Sequence, residues 1–187
     1  MIYNWKTIVK HGLPLLTLTI FIEIFAGQLL LLKEDLLILF PIFLISIPVI
    51  NSVSGNIGSV LGARLASGLH VGYISVSFKD KETHDNLIIS ILMGIITYVL
   101  LAIVIYYIAL FGDLRVSIGL FKFVAILLSA GFLLICVVSL VSVLTAFLSF
   151  KRGLDPDDMV APVVTTVGDV MGIVFLFSIL SLFGVGI

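Results

Sequence analysis

The chain has 187 residues, of which 61% are hydrophobic and only 11% charged. Soluble domains are about half apolar and about a quarter charged, and one of this size has no interior large enough to hide so much apolar surface, so the composition implies a bilayer as solvent. A net charge of −1 with no basic run argues against a nucleic-acid partner. The lone Cys136, inside an apolar run, gives neither a disulfide framework nor a thiolate metal site.

A helix crosses the hydrocarbon core with about 20 apolar residues, and five segments meet that length. The first runs from about Leu13 to Leu32 and lacks a convincing small-residue cleavage site, so it reads as a retained span. The second, about Leu36 to Leu69, is too long for one upright span. Its Pro41, Pro48 and several glycines predict a tilt, a kink or a cytosolic extension. The third covers Leu87 to Phe111, the fourth Ile118 to Phe150 and the fifth Pro156 to about Leu182. Polar punctuation separates them. Lys33, Glu34 and Asp35 predict a tight first turn, and Lys79 to Asp85 the longest loop. Gly112, Asp113 and Arg115 form the third connection and Lys151 to Asp158 the fourth.

Basic residues set the orientation. Lys6, Lys10, Arg64, Lys79, Lys81, Lys151 and Arg152 fall on one side, against Lys33, Arg115 and Lys122 on the other. That asymmetry predicts a cytosolic N-terminus and an external C-terminus. There is no internal repeat, and residues 1–187 read as one membrane domain with no cytosolic regulatory domain.

Charges at membrane depth are costly and mark partners, cavities or pathways. Two acids sit deep in the spans, Glu23 and Asp169. Asp169 lies about 20 Å along the fifth helix from Pro156 at about 1.5 Å per residue, on a helix with no Lys or Arg. Thr165, Thr166 and Gly172 fall near the same face, so that face offers hydroxyls, a carboxylate and a gap for close approach. An ion pathway and a hydrogen-bonded interhelical Asp both fit this pattern. Glu23 reads as a carboxylate paired with a neighbouring helix or protonated, or as part of a proton-relaying path.

The second span carries Ser52, Gly55, Asn56, Gly58, Ser59, Gly62, Ala63 and Ala66. Small residues at such spacings let membrane helices touch, so a packing seam explains the glycines. Asn56 adds an amide carbonyl able to hold an ion or its water. Asp155 before Pro156 is an ordinary helix start, while Asp155, Asp157 and Asp158 together would also draw a cation to a cytosolic mouth. His11, His70 and His84 lack metal-ligand spacing, and no nucleophile with a base, phosphate loop or zinc motif appears. An enzyme is therefore not expected.

Two stretches carry a resemblance. Pro48-Val-Ile-Asn-Ser-Val-Ser-Gly-Asn-Ile-Gly58 with Ala63-Arg-Leu-Ala-Ser-Gly68 resembles the second membrane helix of the MgtE magnesium transport family. Leu154-Asp-Pro-Asp-Asp158 with Pro162-Val-Val-Thr-Thr-Val-Gly-Asp169 resembles its fifth. The Arg-Leu-Ala-Ser and Gly-Asp variants look closest to the eukaryotic solute-carrier branch. The resemblance implies an all-α, five-helix integral membrane fold that works as a homodimer, with a pore at the two-fold interface lined by the second and fifth helices. It implies Asp169 as the main ion ligand, Asp155 as a further acidic site toward the cytosol, and Gly55 and Asn56 bordering the path. The transported ion would be a divalent cation, with Mg²⁺ favoured. Thr165, Asn56 and backbone carbonyls could hold its waters. The competing expectation is a membrane scaffold or regulatory subunit with no pathway of its own.

Overall fold

The computed structural model describes residues 5–112, 114 and 116–185, with side chains from Val9 onward other than that of His11. Asp113 and Arg115 of the expected third connection lie outside the described residues, as do the side chains of Lys6 and His11. The described residues form helices α1 (Trp5–Leu31), α2 (Glu34–Leu39), α3 (Pro41–Val71), α4 (Lys81–Phe111), α5 (Leu120–Lys151) and α6 (Pro156–Leu182). Five of them, all but α2, are long and apolar enough to cross a membrane.

The overlong second segment contains a break at Phe40 rather than a bend. Phe40 leaves the helical region at φ −127 and ψ 74. A residue before proline is pushed out of the α conformation, which ends α2. Pro41 then starts α3 at a position whose N–H would have no partner anyway. Pro48 leaves α3 unbroken, and its 31 residues span about 46 Å, well beyond a core of about 30 Å.

The far end of α3 stops at Gly72, whose φ of +87 suits only glycine. The amides of Gly72, Tyr73 and Ile74 then converge on the Gly68 carbonyl at 3.0, 3.1 and 3.2 Å, and the Ile74 side chain folds back over the bare Gly68.

The stretch Lys79–Asp85 differs from the expected loop. Helix α4 already begins at Lys81, and the connection is 72–80. Asp80 is its N-cap, with its carboxylate accepting the Thr83 N–H at 3.1 Å. Charged side chains there mark an exposed first turn, and the buried Thr83 anchors it.

Helices α3, α4, α5 and α6 pack into one bundle, and α1 lies against α6. Close approach depends on missing side chains. The Tyr98 ring of α4 occupies the space a Cβ on Gly131 of α5 would need, and the Tyr98 hydroxyl donates to the Ile50 carbonyl of α3 at 3.1 Å. From α5, the Ser142 hydroxyl donates to the Gly58 carbonyl at 2.8 Å. The best window of α1 is only 11% buried, and Leu13, Leu16, Phe21 and Phe25 point outward. Lipid tails are as apolar as those side chains, so the exposure suits a bilayer.

Candidate functional site

Helices α3 and α6 run antiparallel and share a seam built from reciprocal gaps. Toward the start of α6, the glycines are on α3. Gly62 receives Val160, Gly58 receives Val164, and Gly55 receives Thr165, whose Cγ2 lies 3.1 Å from the site of a glycine Cβ. Further along α6 the roles reverse. Gly168 faces the Ser54 hydroxyl at 3.0 Å from its Cβ site, and Gly172 faces the Asn51 carboxamide. The apolar half of the seam therefore gives way to a polar half at the level of Asp169.

Asp169 is half-buried. Its backbone carbonyl accepts from Asn51 Nδ2 at 3.3 Å. The α3 turn beneath it is held in place by the Tyr98 bond to Ile50 and by Ser54, which donates to the Asn51 carbonyl at 2.8 Å. The Glu23 carboxylate of α1 reaches α6 three residues before Asp169, at Thr166.

The two threonines that share a turn with Asp169 have different surroundings. Thr165 is exposed, and its hydroxyl donates back to the Ala161 and Pro162 carbonyls at 2.9 and 3.1 Å. Thr166 is buried and donates across to Glu23 Oε1 at 3.3 Å. Thr165, not Thr166, thus lies on the open side of the seam next to Gly55.

Asn56 is exposed, and its Nδ2 reaches back to Ser52 Oγ at 3.5 Å. It lies beside the seam, nearer Thr165 than Asp169. Asn51 is the amide that meets Asp169, and sequence reasoning passed over it. Its only signal was a polar residue inside the apolar Pro48-Val-Ile-Asn string.

Asp155 stands at the other end of α6, away from Asp169. It caps that helix, with Oδ1 accepting the Asp157 N–H at 3.1 Å and Pro156 following at the first position. Among the described residues no three His, Cys, Asp or Glu side chains converge in a metal-holding group. The arrangement in one chain offers a single Asp169 carboxylate, an exposed amide and an exposed hydroxyl along one open stripe.

Five helices long and apolar enough to cross a membrane, with a carboxylate, amides and hydroxyls along the seam between α3 and α6, define a multi-pass helical membrane protein. The chain belongs to the MgtE family of divalent cation transporters, whose pattern matches residues 47–179. This is a transporter family and not an enzyme family. The match takes in the whole α3–α6 seam and leaves α1, with Glu23, outside it. No curated protein matches the chain directly.

Proposed function

We propose that this chain moves Mg²⁺ along a path bordered by α3 and α6, with Asp169 as the central ligand. The observation that carries the reading is the half-exposed Asp169 on a helix without Lys or Arg. A carboxylate at that depth needs a cation, a proton or a hydrated cavity, and the family supplies divalent cations as cargo.

Among the described residues no group of acidic side chains gathers around Asp169, and a path between two copies supplies a second carboxylate. A two-fold axis brings identical groups together, and two Asp169 carboxylates repel until a divalent cation lies between them. Mg²⁺ takes about six oxygens near 2.1 Å and gives up water reluctantly. Two carboxylates with retained waters suit it better than an all-protein cage. The Thr165 hydroxyl spends its proton on its own helix, which leaves its lone pairs to accept from a metal-bound water. Asn56 and the Gly55 turn border the same stripe and serve the hydrated ion one turn away. Such loose, water-mediated contacts also let the ion leave. The excess of Lys and Arg on one side puts the start of α6, with Asp155, in the cytosol, where Asp155 draws cations to the mouth while capping the helix.

Mg²⁺ flux into liposomes holding the purified chain, with wild type beside Asp169→Asn, tests this. Flux that the substitution abolishes, with assembly intact, is the expected result. Normal flux in the variant overturns the assignment of Asp169. No flux in either protein, with intact assembly, favours a scaffold or regulatory subunit.

A further inference from the structure

Asn51 is over nine-tenths buried, with 8% of its surface exposed, and its carboxamide is used unevenly. Nδ2 donates to the Asp169 carbonyl at 3.3 Å. Oδ1 has no hydrogen-bond partner and fills the space that a Cβ on Gly172 would occupy. Gly172 lies about one turn past Asp169 on α6, so one amide touches both ends of the turn that begins at Asp169. Its near neighbour there is the Cα–H of glycine, a weak donor that recurs where membrane helices touch.

Leaving an amide oxygen unpaired in the interior is unfavourable, and packing alone does not require it, since a leucine would fill similar space. The support beneath Asn51 is also unusually firm. Tyr98 of α4 holds the Ile50 carbonyl at 3.1 Å and Ser54 holds the Asn51 carbonyl at 2.8 Å. A rigid turn on one helix therefore presents one amide to the turn of the other helix that carries the charged group.

We infer that Asn51 is a positioning residue for the cation site, fixing the axial register and rotation of α6 so that Asp169 faces the path. Gly172 is the matching gap that lets the carboxamide reach it. This rests on the reading of Asp169 as the ligand. Partners that orient a metal-binding side chain change metal affinity by about 10–100-fold when removed. Because Asn51 acts through Asp169, its loss falls on the apparent KM for the cation, whereas a general packing role lowers the amount of folded protein.

The test is Mg²⁺ flux as a function of concentration in liposomes, with each variant normalised to intact, correctly assembled protein. Asn51→Ala and Asn51→Leu each raise KM by about 10–100-fold, the second without opening a cavity. Gly172→Ala, which pushes the carboxamide off α6, raises it similarly. Asn51→Ala combined with Gly172→Ala is no worse than either alone, because neighbours that share one contact are not additive. Ser142→Ala removes a buried hydroxyl bond to α3 away from Asp169 and leaves KM unchanged. Wild-type KM in Asn51→Leu, with Asp169→Asn inactive, overturns the positioning role and spares the ligand reading. Additive losses in the double variant overturn the Asn51–Gly172 contact. Wild-type flux in Asp169→Asn removes both readings together.

Discussion

The Thr166 hydroxyl leaves its own helix to reach the Glu23 carboxylate of α1 at 3.3 Å, while its neighbour Thr165 bonds back to α6. This polar contact ties α1 to the bundle. Interhelical hydrogen bonds of this kind average about 0.6 kcal/mol in membranes. Thr166→Val, which keeps the shape, should lower stability by about that amount in micelles. Flux should be unchanged, since Thr166 faces away from the open stripe. A loss of flux equal to that of Thr165→Val would place Thr166 in the path instead.

Gly62 has no room for a side chain. A Cβ there meets Val160, whose own Cβ would be 2.9 Å away, and the Ser142 hydroxyl at 3.2 Å. Overpacking of this kind destabilises by about 1–3 kcal/mol. Gly62→Ala should show that loss in thermal unfolding, and a Val160→Ala background, which removes Cγ1 but keeps the Cβ, should recover part of it. Equal losses in both backgrounds would show that the strain lies elsewhere.

Asp155 permits a separation of cap from charge. Asparagine caps as well as aspartate, whereas alanine loses about 1 kcal/mol. Asp155→Asn should therefore retain wild-type stability, and Asp155→Ala should not. If the carboxylate also draws cations toward the mouth, both variants raise KM, and the effect shrinks at high ionic strength. Unchanged KM in Asp155→Asn would reduce the residue to a cap.

Asp80, outside the spans, has its carboxyl pKa held below the ordinary value by the Ser75 hydroxyl first and the Thr83 amide second. A group depressed on folding contributes stability above its unfolded pKa of about 3.9. That contribution is lost as pH falls through the lower folded value. The Asp80 carboxyl resonance should therefore titrate below the usual aspartate midpoint, and Ser75→Ala should move it upward. A midpoint that Ser75→Ala leaves in place would show that the hydroxyl plays no part.

The spans were legible because lipid-facing sequence is nearly all apolar, as in α4 and α5. The start of α6 was readable to the residue, since Asp155 and Pro156 make a cap that needs no tertiary context. The break at Phe40 was less so, because a proline signals a start or a kink equally well. Lys79–Asp85 misled because charge density resembles a loop, although Lys, Glu and His also suit an exposed first turn. Asn51 was the real gap. Its partner Asp169 is 118 residues away, and nothing local tells an amide aimed at a glycine from one aimed at lipid. Asn56, the amide singled out from the sequence, is exposed beside the seam rather than in contact with Asp169.

That separation also governs how the protein is made. Chains elongate at about 5–20 residues per second, so about 6–24 s separate the synthesis of Asn51 from that of Asp169. Through that interval the notches on α3 at Gly55, Gly58 and Gly62 lack their α6 tenants, because α6 is the last of the described helices to be made. The site therefore assembles only after α6 itself has been made, and a nascent chain stalled before Gly172 holds an inserted bundle with an open groove.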